Sequence, residues 1–266
     1  MHSPADHALV VVPAHDEADQ VGAALTAVGA AAVQALRRGL VRSVHVVVVA
    51  HRCTDGTDLA ARRHPCPPQV QRSVLVDHDS ETVGEVRDHG VRTGAARIPD
   101  PRRCWLLSTD ADSVVPPTWI ADLLAVAARR HAVAVAGLVK LVDWAATPGA
   151  RAAYDQILAA GMTGPDTHTH AYAANLAVRL DAYLAVGGFP AVPHGEETGL
   201  LQRLAAAGLR TTSTRSSTVR TAGRMPGRAA LGLGRLLADL NDAETVGPDA
   251  ATIVAPPTRI VSAVEG

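Results

Sequence analysis

The sequence predicts an α/β fold: a doubly wound, mostly parallel sheet with helices on both faces and a less regular second half. Three observations carry that prediction. Short apolar runs rich in Val recur through the first half, as expected of strands buried on both faces. Each run is followed by a stretch of helical character, so strand and helix alternate. Acidic residues gather just beyond the C-terminal ends of the runs, where open parallel sheets bind their ligands.

Residues 8–12 read as the first strand, stopped at Pro13. Residues 16–38 follow as an Ala/Leu-rich helix, with acids early and Arg37-Arg38 late, as the helix dipole prefers, and Gly39 fits its stop. Residues 44–49 form a second strand. In the turn Thr54-Asp55-Gly56-Thr57, Thr54 or Asp55 caps a helix running to about residue 63, and Pro65, Pro67 and Pro68 close that unit. Residues 70–76 give a third strand and 82–97 a helix with an odd Gly90 inside it. Residues 104–109 are the fourth strand, 116–130 a helix with Pro at its start, and 132–142 a further strand. Beyond residue 142 the pattern becomes irregular. Helices are expected over 148–160, 180–186 and 196–207, a loop over 161–170 and an extended run over 172–178. A last helix over 228–240 precedes a Pro-containing tail expected to be flexible. The expected division is one domain over 1–222, with halves of about 1–115 and 116–222, then a C-terminal helix and tail over 223–266.

Almost half of the 266 residues are hydrophobic but only 3% are aromatic, so Ala, Val and Leu must fill the core. A net charge of −1 with scattered Arg gives no expectation of nucleic acid or an anionic membrane surface as partner. Cys53, Cys66 and Cys104 form no C-x-x-C pair, which suits a reducing cytoplasm better than a disulfide framework. The polar start does not read as a signal peptide, and no segment reads as a transmembrane helix. A cytoplasmic protein that meets its substrates in solution is expected.

The most informative feature is Asp110-Ala111-Asp112, at the end of the fourth strand. Residues two apart in extended backbone point to the same side. Two hard oxygen ligands there suit Mg²⁺ or Mn²⁺, ions that usually also take substrate phosphates. The plainer alternative is a helix cap beside a solvated acid. Other segments fall into order around this triplet. Val10-Val11-Val12-Pro13-Ala14-His15-Asp16-Glu17 looks like the opening strand end of family 2 glycosyltransferases. Val47 to Thr57 resembles their second strand and its acidic turn, and Gly84-Glu85-Val86-Arg87-Asp88-His89-Gly90 their G-x-A-R-N-x-G helix. Asp110-Ala111-Asp112 falls where their D-x-D belongs. Asn175 to Arg179 and Gly187-Gly188-Phe189 resemble their acceptor-side stretch, and Glu196 to Leu204 their E-D-x-x-L-x-x-R-L helix. The resemblance spans roughly residues 8–222.

That resemblance implies a GT-A fold, a nucleotide-diphosphate sugar donor and a divalent metal. It places Pro13, Ala14, Glu17, Asp55, Gly84, Arg87, Asp110, Ala111 and Asp112 at the donor. Asp112 becomes the firmer metal ligand, with Asp110 and His194 beside it. Glu197 stands where the family carries its Asp base, and Glu196 is the rival. Asn175, Gly188 and His170 fall on the acceptor side, with His168 near them. Each residue also has a structural alternative: helix-dipole acids for Glu17, Glu196 and Glu197, a cap for Asp55, and a surface cation for Arg87. The usual acidic pair after the second strand is replaced by Ala50-His51, which leaves the base unnamed. The implied activity is transfer of a sugar to a hydroxyl of a small soluble acceptor, with inversion expected and retention as the alternative, since related GT-A enzymes use similar donor sites. A nucleotidyltransferase remains a rival, although Pro13-Ala14-His15-Asp16-Glu17 lacks the Gly-rich basic loop such enzymes usually carry. A non-catalytic nucleotide-sugar- or partner-binding module is the other rival. The C-terminal helix is expected either to close over the acceptor or to form a homodimer contact.

Overall fold

The computed structural model describes residues 5–223 and 233–246. The first half alternates as expected: β1 (His7–Ala14), α1 (Val21–Arg37), β2 (Ser43–His51), α2 (Thr57–Arg63), β3 (Val70–Asp77), α3 (Val83–Ala95) and β4 (Cys104–Ser108). The second half holds β5 (Ser113–Val114), α4 (Trp119–Arg130), β6 (Ala134–Val142), α5 (Pro148–Ala160), β7 (Met162–Gly164) and β8 (Thr167–His168). It continues with β9 (Leu176–Arg179), α6 (Leu180–Ala185), α7 (Glu196–Ala206), β10 (Thr211–Ala222) and α8 (Leu233–Val246).

One eight-stranded sheet runs in the order β3-β2-β1-β4-β9-β6-β10-β5. Strands β3, β2, β1 and β4 are parallel neighbours, the arrangement the alternation predicts. Strand β9 then inserts antiparallel between β4 and β6, so these two strands do not pair directly. Apolar side chains alternate along β1. Ala8, Val10 and Val12 pack under α1 and α4, whereas Leu9 and Val11 pack with Val86 and Val91 of α3 and Leu200, Leu201 and Leu204 of α7. Helices therefore cover both faces, and the C-terminal ends of β1 to β4 share one edge, beside the N-terminus of α7.

Several boundaries differ from expectation. Helix α1 starts at Val21 rather than residue 16, and its first turn carries no acid. Asp16 instead sits in the left-handed region at φ 52° and bonds across the neighbouring loop. Gly56, also left-handed, precedes α2, so neither Thr54 nor Asp55 is its cap residue. The expected loop over 161–170 contains the small β7–β8 hairpin. The twelve-residue β10 has no counterpart in the sequence reading, because its segment is mostly Thr and Ser and shows no apolar alternation. Its Ser213, Thr214, Ser217 and Thr221 are nevertheless buried.

Gly90 has a packing reason. A Cβ there would come within 2.7 Å of Val49 and 2.9 Å of Val11, and one at Gly94 within 2.3 Å of Leu9. The bare face lets α3 lie close on β1 and β2. Helix α8 packs on α5 through Leu237, Ala150, Tyr154 and Trp144. Its Asn241 accepts from the Thr147 amide at 3.2 Å and donates to the Ala145 carbonyl at 3.2 Å. The start of the expected last helix, residues 228–232, and the expected tail from residue 247 lie outside the described residues. No described helix is long and apolar enough to cross a membrane.

Candidate functional site

The loops after β1 and β2 brace each other. Asp16 Oδ1 accepts from the Thr54 amide at 2.7 Å, and Asp55 Oδ2 accepts from the Ala18 amide at 2.9 Å. The Glu17 amide donates to Thr57 Oγ1 at 2.7 Å, and Thr57 in turn donates to Asp55 Oδ1 at 2.5 Å. These bonds, which more than offset its partial desolvation, hold the Asp55 carboxyl below its ordinary pKa. Asp55 thus bonds within the loop scaffold. Pro13 and Ala14 pair with Val49 and Ala50, and the Ala14 carbonyl accepts from the Cys53 thiol at 3.4 Å. Glu17 is buried beside them.

The sequence reading missed a histidine–carboxylate group at the same edge. Asp77, at the end of β3, is buried and accepts from His51 Nδ1 at 2.9 Å, while His89 Nδ1 of α3 lies 3.3 Å from its other oxygen. Burial opposes the charge of Asp77, but bonds from Ser80 and His51 and the nearby imidazoles outweigh it, so its pKa lies below the usual carboxylate value. Registration of His51 against Asp77 in the β2–β3 pair makes this contact. The signal in the sequence was His51 standing in place of an acid.

Arg87 is the centre of the site. Helix α3 begins with a capping box, in which Thr82 Oγ1 accepts from the Glu85 amide and Glu85 accepts from the Thr82 amide. One turn on, the buried Arg87 guanidinium reaches three elements. Nη2 donates to Asp110 Oδ1 at 2.5 Å, Nη1 to Ser108 Oγ at 2.9 Å, and Nε to Glu196 Oε1 at 3.2 Å. Burial alone would lower the pKa of Arg87, yet Asp110 and Glu196 reverse that effect and raise it. Arg87 is thus not a surface cation. Gly84 makes the arrangement possible, because a Cβ there would stand 2.3 Å from the Pro190 carbonyl oxygen and 3.1 Å from Glu196 Cβ. The close approach at Gly84 is made by the chain entering α7, which carries Glu196 to Arg87.

The two glutamates of α7 differ. Glu196 is buried and spends its carboxylate on Arg87. Glu197 is half-buried, and its Oε1 accepts from the Thr198 hydroxyl at 3.4 Å. Burial first, and the Glu196 charge second, push the Glu197 pKa up to about 7. A carboxyl tuned to that range suits proton transfer near neutrality.

At the end of β4, Ala111 is buried while Asp110 and Asp112 keep partial exposure. Asp112 Oδ1 accepts from Ser113 Oγ at 3.3 Å and from Thr221 Oγ1 at 3.3 Å. Two part-open carboxylates, one residue apart at a strand end, are a donor set that fits a hard divalent cation sharing its remaining positions with phosphate oxygens. His194 does not join them. It lines a groove of about 500 Å³ with Pro190, Gln202 and Arg203 on the outer side of α7. Among the described residues the one group of three His, Cys, Asp or Glu donors within 4.8 Å of one another is Asp16, Cys53 and Asp55.

The acceptor-side residues are structural in this geometry. Asn175 is fully buried. Its Oδ1 accepts from Trp119 Nε1 at 2.9 Å, and its Nδ2 donates to the carbonyls of Leu138 at 2.8 Å and Ser217 at 3.1 Å. With the Ser217 hydroxyl also donating to Oδ1 at 3.4 Å, it joins α4, β6 and β10 and has no side-chain capacity left for an acceptor. Gly188, at φ 78°, lies where a Cβ would meet Asp88 at 2.4 Å and the Tyr183 hydroxyl at 2.8 Å. His170 is buried and shares a hydrogen bond with the Leu158 carbonyl at 3.0 Å. His168 is buried as well, and desolvation takes its pKa down to about 4.

Three solved structures give the fold its context. A mannosyltransferase from Pyrobaculum calidifontis, in complex with GDP-Man and Mn²⁺, superimposes with a TM-score of 0.60 at 20% identity, covering 83% of this chain and 58% of that one. Residues 1–349 of TarS from S. aureus, in complex with UDP-GlcNAc, give 0.60 at 14% identity, with 88% and 66% covered. A mycobacterial protein gives 0.53 at 18% identity, with 90% and 75% covered. The chain therefore spans less than two thirds of the first two. No protein-family profile and no curated protein sequence matches it. At these identities the likeness shows the fold, and the expected GT-A fold is what it shows.

Proposed function

We propose that this chain is a family 2-like glycosyltransferase that moves a sugar from a nucleotide-diphosphate sugar to a hydroxyl of a small soluble acceptor. The observation that carries the reading is the Arg87 clamp. It ties the Asp110-Ala111-Asp112 strand end to the Glu196-Glu197 helix start on a GT-A sheet. The groups bound to two fold neighbours, GDP-Man with Mn²⁺ and UDP-GlcNAc, are of the proposed donor class.

In this reading the nucleotide lies across the ends of β1 to β4, beside Glu17 and the braced Asp55 loop. Asp112, with Asp110, would hold Mg²⁺ or Mn²⁺, which when bound neutralises charge on the departing diphosphate. Arg87 keeps Asp110 and Glu196 charge-balanced and fixed. Glu197, ionised, takes the proton of the acceptor hydroxyl. That oxygen forms its bond to the anomeric carbon as the carbon–phosphate oxygen bond breaks, and the nucleoside diphosphate leaves with the electron pair. Attack from the face opposite the nucleotide inverts the centre. Glu196 is the lesser candidate for base because Arg87 already holds its charge.

Thermal-shift measurement with Mn²⁺ and UDP, GDP, dTDP or ADP tests this, because a ligand that binds the native state raises its stability. One nucleotide is expected to stabilise the protein only with metal, and Asp112→Ala to abolish the effect. No shift with any nucleotide at saturation would overturn the reading.

A further inference from the structure

We infer that Thr221, on the last strand of the sheet, is a positioning residue for Asp112, so that β10 sets the orientation of the donor-site carboxylate. The inference rests on the reading of Asp112 as a donor-site metal ligand.

Three observations carry it. The first is backbone register. Strand β10 runs antiparallel to β5 with Thr221 opposite Ser113 and Arg220 opposite Val114. Main-chain pairing therefore fixes residue 221 beside the residue that follows Asp112, and β6 holds β10 on its other side. The second is burial: Ser113 and Thr221 are 0% and 6% exposed, so neither hydroxyl is a solvated surface group. The third is a hydroxyl pair gathered on the carboxylate. Thr221 Oγ1 donates to Asp112 Oδ1 at 3.3 Å, while the one Ser113 proton is shared between Thr221 Oγ1 at 2.9 Å and Asp112 Oδ1 at 3.3 Å.

An aspartate at a strand end can turn about both side-chain torsions. A buried donor on a neighbouring strand selects one orientation and leaves the other oxygen's direction defined. Partners of this kind typically change metal affinity 10- to 100-fold when removed. The same account explains why the end of β10 is polar. A Val or Ile at 221 would serve the sheet but give Asp112 no donor from β10.

The test measures Mn²⁺ binding directly, by the loss of the free-ion electron paramagnetic resonance signal, with Mn²⁺ alone and with saturating UDP or GDP. Thr221→Val keeps the shape and removes the hydroxyl; Thr221→Ser restores it. The Val variant is expected to bind Mn²⁺ about 10-fold more weakly or worse, and the Ser variant to stay near wild type. In donor turnover the Val variant should need more Mn²⁺ while keeping its rate at saturating metal. Wild-type Mn²⁺ affinity in the Val variant, with binding lost in Asp112→Asn, would overturn the positioning role and leave the donor reading standing. A wild-type protein that binds no Mn²⁺ under either condition overturns both. Should Thr221→Val fail to fold by circular dichroism, Ser113→Ala substitutes for it. It should weaken binding roughly 2- to 10-fold, the worth of one hydrogen bond, and no change there would overturn the inference.

Discussion

The end of β4 and the start of α7 each present two acids, and the pairs are treated alike in one respect and differently in another. In each, one carboxylate is given to Arg87: Asp110 from the strand and Glu196 from the helix. The remaining one differs. Asp112 is part-open and accepts from two hydroxyls, whereas Glu197 is set against protein and a neighbouring charge that raise its pKa. A single buried cation thus binds one acid of each pair, engaging one oxygen of Asp110 and one of Glu196, and leaves Asp112 and Glu197 to other partners. The contrast teaches that an acid's use is fixed by what its neighbour has already taken, not by its place in a motif.

The largest effect should come from the two acids that Arg87 does not bind. Glu197→Gln is expected to lower donor turnover roughly 10²- to 10⁴-fold, the usual worth of a general base, with Mn²⁺ and nucleotide binding retained. If Glu196→Gln cost as much in rate while leaving stability intact, the assignment of the two glutamates would be reversed. Arg87→Met should break the clamp itself. It strands the buried Glu196 charge, and a loss of about 3–5 kcal/mol in denaturant unfolding is expected. An unchanged midpoint would show that the clamp carries no weight. Asn175→Ala, by contrast, should act on stability alone. It orphans Trp119 Nε1 and two carbonyls, at about 1–3 kcal/mol for the donor alone, with metal-dependent nucleotide binding intact below the melting temperature. Loss of nucleotide binding at wild-type stability would restore Asn175 to the site. Asp55→Ala should cost least, about 1 kcal/mol for the lost loop bonds, on an exposed residue.

The comparison also predicts a pH dependence. The folded chain holds the Glu197 proton to about pH 7, while the unfolded chain releases it near its ordinary value of 4.5. Folded protein binds more protons between those limits, so this group contributes stability that is lost as pH rises through that window. Turnover should move the other way, rising with the ionised fraction towards neutrality. Glu197→Gln should flatten both slopes, as read by melts and rates from pH 4 to 8.

The donor-side strands were legible because Val-rich runs and the helices between them have only one economical arrangement. Strand β10 was not, because Thr and Ser give no hydrophobic period and their burial is made tolerable by partners elsewhere, as with Thr221 and Ser113. Arg87, Asp110, Glu196 and Glu197 were all named from order along the chain. Their pairing was invisible, since Arg87 and Glu196 are 109 residues apart. The same distance problem hid Gly84, whose near neighbour is Pro190, and disguised Asn175, which resembles an acceptor contact in sequence and is a buried cross-link in space.

The most direct measurement is a carboxyl ¹³C NMR titration of the wild-type protein beside Glu197→Gln and Glu196→Gln. Burial of Glu197 beside the Glu196 charge predicts one glutamate carboxyl titrating near neutrality, absent in Glu197→Gln and moved downward in Glu196→Gln as the neighbouring charge is removed. Every glutamate titrating in its ordinary range, or a near-neutral signal that survives Glu197→Gln, would contradict it.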